Sequence, residues 1–268
     1  VRVLAPSSPA WPEPEVPARA APEAPGPGET LDAICGGEVQ VLQRRTGYRF
    51  NLDSLLLAHF AVQTGGAGRG RIIDLGTGCG IVPLLLSRRL GCTDVTGLEL
   101  QPGLFSLAQR NVHLNRCEHS VSLVLGDLCQ VDQKFGRGSF AHVLCNPPYR
   151  APASGRVNTE RERALARHEL TCALVDVVRA ARYLLEARGG LSLVYPVSRF
   201  SELATTLKAE RLSMRHLRLV HPRPDRPAKL LLLHAVRSSR APLVVLPPLV
   251  VHSAPGPAFS PEVSAMVG

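Results

Sequence analysis

Two short stretches of this sequence hold residue types that do chemistry when a fold brings them together. The first, Ile72-Ile73-Asp74-Leu75-Gly76-Thr77-Gly78-Cys79-Gly80, is an apolar run leading into three glycines at alternate positions. Glycine adopts backbone angles and permits close approaches that a Cβ forbids, so this is a turn suited to laying main chain against a ligand. Its G-x-G-x-G spacing is neither the G-x-G-x-x-G of dinucleotide folds nor the G-x-x-x-x-G-K-[ST] of a phosphate loop. Asp74 would repel a pyrophosphate; a carboxylate there suits a ligand with a cationic head, such as the amino group of S-adenosylmethionine. Two further acids end predicted strands: Glu99, placed to accept two ribose hydroxyls, and Asp127, placed to reach an adenine amine. Taken singly, each acid reads better as a helix N-cap, but three in register with the glycine loop weaken that reading. The expected cofactor set is Asp74, Gly76, Thr77, Gly78, Gly80, Glu99, Asp127 and Asn146.

The second stretch, Asn146-Pro147-Pro148-Tyr149, follows an apolar strand. Two prolines in isolation would only end that strand. After a cofactor loop, the four residues suit methylation of an amide-like or aromatic NH₂, whose lone pair is delocalised and poorly nucleophilic. The Asn146 side-chain oxygen and the Pro147 carbonyl can accept the two N–H hydrogens and aim the lone pair, while the prolines bring no competing N–H. Tyr149 offers a face for stacking. The catalysis is positioning, and the nitrogen can shed its proton after transfer, so no strong base is required.

The elements that must position these residues follow from the pattern around them. Strand 71–75, helix 81–90, strand 94–98, helix 103–114, strand 121–125 and strand 141–145 alternate, followed by a long helix over 159–187. Strand 191–195, helix 200–211 and two closing strands, 214–220 and 229–236, complete the set. Alternation of this kind implies a mainly parallel sheet covered on both faces. Upstream, Val39 and Val41 mark a short strand, and Asn51 or Asp53 caps a helix running through Ala61. Residues 1–28, rich in Pro and Ala, read as a disordered extension. The remaining divisions are 29–66, a hairpin and helix packed on the core; 67–240, the catalytic domain; and 241–268, a tail.

With Asp74-Leu-Gly-Thr-Gly-Cys-Gly80, Glu99, Asp127 and Asn146-Pro-Pro-Tyr149 in that order, the chain resembles the class I S-adenosylmethionine-dependent N-methyltransferases. Tyr48-Arg-Phe-Asn-Leu-Asp53, Ala166-Arg-His-Glu169, Pro247-Pro-Leu249 and Phe259-Ser-Pro-Glu262 further resemble the bacterial tRNA1(Val) adenine-N6 methyltransferases, which act on adenine 37 beside the anticodon. The resemblance implies a Rossmann-like α/β fold, a seven-stranded sheet with its last strand antiparallel, S-adenosylmethionine as cofactor and tRNA as substrate. The chain departs from that family at Arg150, where an aromatic is usual. The rival readings are a glutamine N5-methyltransferase of release factors, a DNA adenine methyltransferase, and a non-catalytic RNA-binding module of the same fold.

Composition agrees with an RNA partner without requiring one. Lys+Arg outnumber Asp+Glu by 31 to 22, for a net charge of +9, and nearly all the cations are arginine, which suits phosphate but also follows from codon usage. Arg150, Arg156, Arg161, Arg163 and Arg167 follow the catalytic motif; Arg44, Arg45 and Arg49 precede the cofactor loop; Arg215, Arg218, Arg223 and Arg226 form a third group. Of these, Arg49 and the five after the motif are the expected RNA contacts. Seven scattered cysteines without C-x-x-C spacing point to a reducing compartment and to no zinc site, and Cys79 and Cys145 read as packing residues. His168-Glu169 reads as a structural contact, not a metal pair. The apolar run 243–251 is short of the roughly 20 residues of a membrane span. A cytoplasmic monomer is expected.

Overall fold

In a computed structural model, residues 24–47, 49–65, 70–147, 173–253 and 256–268 are described. Pro148, Tyr149, Arg150, Arg156, Arg161, Arg163, Arg167 and His168-Glu169 lie outside them, as do most of the 1–28 extension and residues 159–172 of the expected long helix.

The N-terminal part is a hairpin, β1 (Glu29–Ile34) with β2 (Val39–Arg44), antiparallel from Glu29↔Arg44 to Ile34↔Val39. Helix α1 (Leu52–Gln63) follows, started by Asn51, whose side-chain oxygen accepts the Asp53 N–H. That settles the choice between two cap residues in favour of Asn51.

Then come β3 (Ile72–Leu75), α2 (Ile81–Leu84), β4 (Val95–Glu99), α3 (Pro102–Leu114), β5 (Val121–Leu125) and β6 (Phe140–Cys145). They are followed by α4 (Leu174–Leu184), β7 (Leu185–Pro196), α5 (Phe200–Ala209), β8 (Leu212–His221) and β9 (Leu230–Arg237). The principal order is β5-β4-β3-β6-β7-β9-β8, with β3 to β7 parallel and β9 inserted antiparallel between β7 and β8. This is the expected seven-stranded sheet. Two short strands that the sequence did not reveal, β10 (Val244–Val245) and β11 (Leu249–Val250), widen it by pairing parallel with the outer edge of β8. Successive residues of β3 serve opposite faces: Ile72 packs with α1 and α2, Ile73 with α4 and α5.

Two helix expectations are corrected. The long helix ends at Leu184, not Ala187: Leu185 is extended, Arg188 takes φ 66°, and the chain is already the first part of β7. Leu185 already pairs with Phe140 of β6, and further along the strand a Cβ on Gly190 would collide with the His234 ring of β9. The helix expected over 81–90 is continuous, but beyond Leu84 it widens into a π-helical turn, Leu85–Arg89, closed by Leu90 N–H to Leu85 O at 3.1 Å.

The tail packs on the sheet. Arg218, nearly buried on β8, makes two 2.7 Å bonds to the Glu262 carboxylate and one of 3.0 Å to Pro247 O. Arg215 and Arg223 bond to Pro242 O and Gly256 O. Helix α6 (Pro261–Val267) then reaches the hairpin, where the Cys35 thiol contacts Met266 O at 3.7 Å. Three of the four arginines of the third group are thus engaged in holding the tail over an otherwise open sheet edge.

A histidine ladder crosses β6, β7, β9 and β8. Ser192 Oγ lies 3.0 Å from His142 Nε2 and 3.2 Å from His234 Nδ1, and the rings of His142, His234 and His216 stack. Burial, aided by His216 and Arg215, pushes the His234 pKa down to about 4. The unfolded chain therefore binds the proton more readily, so this contribution to stability is complete above pH 6.5 and is lost as pH falls toward 4. Urea unfolding at pH 7.5 and pH 4.5 should show a loss of the order of 3 kcal/mol, and His234→Leu should remove most of it.

Candidate active site

All four chemistry-bearing segments leave the sheet at the same edge. Asp74 is the penultimate residue of β3, Glu99 ends β4, Asp127 lies two residues past β5, and Asn146 follows β6. In strand order they run Asp127, Glu99, Asp74, Asn146. The sheet reverses its winding between β3 and β6, and Leu75 pairs with Cys145 there. The glycine loop and Asn146 therefore emerge side by side at the switch point, where open α/β sheets bind ligands.

The loop conformation requires its glycines. Gly76, Gly78 and Gly80 have φ of 73°, 61° and 84°, in the left-handed region that side chains disfavour. A Cβ on Gly80 would come within 3.2 Å of Ala108 on α3, whereas one on Gly76 would meet nothing within 4 Å. The first glycine lets helix and loop pack; the second leaves an open cradle above the sheet edge. Gly76 N–H and Thr77 N–H both donate to Leu98 O, at 2.9 and 3.0 Å. Thr77 fits because β4 carries Gly97 beneath it: a Cβ there would lie 2.9 Å from the Thr77 methyl.

The acids differ in state. Asp74 is 2% exposed, and burial raises its pKa to about 7; the Thr77 hydroxyl opposes this rise and Glu99 adds to it. Glu99 is also raised by burial, but its two oxygens accept the N–H groups of Gly78 and Gln101, each at 2.8 Å. Glu99 thus braces the glycine loop, and each oxygen keeps a second lone pair that can accept a further donor. Asp127 Oδ1 caps the following 3₁₀ turn by accepting Cys129 N–H at 2.8 Å. The helix-cap role weighed for each acid holds for this one.

Asn146 is half-buried, and its Nδ2 donates to Ser54 Oγ on α1 at 3.2 Å. Pro147, directly after it, is buried. Cys145 and Cys79 are buried packing residues, and burial drives the Cys79 pKa to about 12. Arg49 is exposed and bonds to Asp32, Thr30 and Arg44 O at 2.8–3.0 Å, tying the loop before α1 to the hairpin. Among the described residues no group of three side chains converges to hold a metal, and no helix is long and apolar enough to cross a membrane.

Sequence reasoning missed Ser54, Asn111 and Asn115. Asn111, fully buried on α3, accepts Leu42 N–H at 2.7 Å and donates to Leu42 O at 3.0 Å and Cys79 O at 2.9 Å. One turn on, Asn115 exchanges a similar pair of bonds with Gln40. Together they substitute for a neighbouring strand along β2 and fasten the hairpin to the cofactor loop. The available signal was two asparagines, poor helix formers, at i and i+4 of a helix. Asn111→Ala would leave three buried backbone groups without partners, for a loss of about 2–4 kcal/mol in chemical unfolding and weaker cofactor binding in calorimetry.

A sheet of this order with one antiparallel strand, a glycine loop at its switch point and acids at successive strand ends defines the class I S-adenosylmethionine-dependent methyltransferases. The open cradle at Gly76 and the buried carboxyl of Asp74 beside it fit a ligand with a cationic amino head. The chain belongs to the methyltransferase small domain family, whose model matches residues 52–210, and it is a methyltransferase of this class. It is 28% identical over 221 residues to a Porphyromonas gingivalis protein named tRNA1(Val) (adenine(37)-N6)-methyltransferase, covering 80% of this chain and 85% of that one. A Parabacteroides distasonis protein of the same name is 29% identical over 165 residues, covering 61% and 67%. Among solved structures, a protein of Agrobacterium tumefaciens described as a predicted O-methyltransferase aligns with a TM-score of 0.63 and 25% identity, over 80% of this chain and 94% of that one.

Proposed function

We propose that the protein methylates the exocyclic N6 amine of an adenine in tRNA, at position 37 beside the anticodon. The observation that carries the reading is the Leu75↔Cys145 register, which sets Asn146 next to the glycine loop at the switch point. The similar proteins named for this reaction support the choice of nucleobase and of tRNA.

S-adenosylmethionine supplies an electrophilic methyl group. Asp74, Gly76, Thr77, Gly78, Gly80, Glu99 and Asp127 are the residues that would hold it, Asp74 toward its amino group and Glu99 toward its ribose. Asn146 Oδ1 and the Pro147 carbonyl accept the two hydrogens of the amine, turning its lone pair out of conjugation and toward the methyl carbon. Tyr149 stacks on the base, which must leave its own stack to reach the site. The nitrogen would form its new bond to carbon as the methyl–sulfur bond breaks, its electron pair staying on sulfur to leave S-adenosylhomocysteine, and would then release one proton to water. A hydroxyl acceptor, as in the neighbour described as an O-methyltransferase, would need a proton taken from it, and the amide of Asn146 takes none. Arg150, Arg156, Arg161, Arg163 and Arg167 follow Tyr149 closely enough in sequence to meet the RNA backbone. Incubation with labelled S-adenosylmethionine and total RNA, DNA and protein from a strain lacking the enzyme should place label in N6-methyladenosine of tRNA. Label confined to protein would overturn the reading in favour of a glutamine methyltransferase.

A further inference from the structure

We propose that Ser54 is a positioning residue for methyl transfer, orienting the amide of Asn146. The proposal rests on the reading that Asn146 accepts the substrate amine, and adds what makes it able to. An asparagine amide is planar with an acceptor at one end and donors at the other, and the torsion that exchanges them is soft and nearly two-fold. Turned the wrong way, it would set its own N–H groups against those of the substrate. Something outside the residue must choose.

Ser54 is placed for that choice. It lies in the first turn of α1, is 1% exposed, and is followed by Leu55, Leu56, Leu57 and Ala58, all buried in the core. The helix is pinned at its start by the Asn51 cap. Ser54 Oγ takes the Nδ2–H of Asn146 at 3.2 Å from a rigid support. With Nδ2 turned to α1, the planar geometry directs Oδ1 away from α1. The hairpin and α1, which precede the alternating strands and helices, thereby contribute to the chemistry as well as to the core.

The test compares wild type, Ser54→Ala, Ser54→Cys, Ser54→Thr, Asn146→Ala and the Ser54→Ala/Asn146→Ala double variant, by steady-state methyl transfer to tRNA and calorimetric cofactor binding. Ser54→Ala should lower kcat about tenfold while cofactor affinity and the KM for tRNA stay within about twofold. Ser54→Cys, of similar volume but a weaker acceptor, should fall between, and Ser54→Thr should recover most of the wild-type rate. In the double variant the Ser54 change should cost nothing further, because its effect passes through Asn146. A Ser54→Ala kcat within twofold of wild type overturns the proposal, as does equal loss of cofactor affinity and kcat, or an undiminished Ser54 effect in the Asn146→Ala background. If Asn146→Ala itself remains fully active, or wild type transfers nothing to tRNA, the underlying reading fails instead.

Discussion

Asn146→Ala lowers methyl transfer to tRNA by about 10²–10³-fold and leaves S-adenosylmethionine binding within about threefold. The effect is large because the amide does what the substrate cannot do for itself. The lone pair of an aromatic amine is shared with the ring; to attack, the nitrogen must become pyramidal, and its hydrogens need acceptors in that geometry. Removing Oδ1 leaves the Pro147 carbonyl as a single anchor, and the amine reverts to its planar form. Cofactor binding survives because the glycine loop is braced independently, by Glu99 to Gly78 N–H and by Leu98 O to Gly76 and Thr77 N–H. Asn146→Asp is the informative companion: it keeps an acceptor but offers Ser54 no N–H, so it should retain more activity than alanine. Single-turnover transfer with saturating cofactor separates the steps. An Asn146→Ala rate within tenfold of wild type would refute the assignment.

The glycine loop was legible because its requirement is local. Three positive-φ glycines after an apolar strand have few uses, and the acids at the next strand ends followed from strand counting. The sheet order was legible for the same reason, since alternating strands and helices with a closing antiparallel pair leave few topologies. What escaped was set by long-range contact. Ser54 lies 92 residues from Asn146, and Asn111 lies 69 from Leu42; neither pairing has a periodicity to betray it. The tail contacts of the third arginine group escaped too, because charge in sequence carries no direction: Arg215, Arg218 and Arg223 bond to backbone oxygens and Glu262 of their own tail. The helix expected over 159–187 rests on an apolar spacing that runs on through Leu185, and only the pairing of Leu185 with Phe140 of β6 shows that the chain has by then become strand.

S-adenosylmethionine affinity rises about tenfold per pH unit below pH 7 and levels off above it. The cause is Asp74. Its pKa of about 7 reflects burial with little compensation: the Thr77 hydroxyl favours the anion, but the neighbouring Glu99 disfavours it. A cationic amino group prefers the ionised carboxyl, so below pH 7 binding must first remove a proton. Calorimetry at pH 6 in two buffers of different ionisation heat should therefore record close to one proton released per cofactor bound, falling toward none at pH 8. Asp74→Asn should abolish the slope and weaken binding about 100-fold at pH 8, the scale of one lost charge-assisted partner in a dry site. Folding carries the opposite sign. A carboxyl whose folded pKa lies above its unfolded value of 3.8 contributes most at low pH, and that contribution is lost as pH rises through 7. His234 works the other way, losing stability as pH falls below 6.5, so the melting temperature of the protein alone mixes the two. The cofactor-induced rise in melting temperature removes His234 from the comparison, because the ladder on β6, β7, β8 and β9 is unchanged by occupancy of a site built on the glycine loop. That rise should grow from pH 6 to pH 8 in wild type and stay constant in Asp74→Asn. A wild-type affinity that is flat across this range would remove Asp74 from the cofactor site.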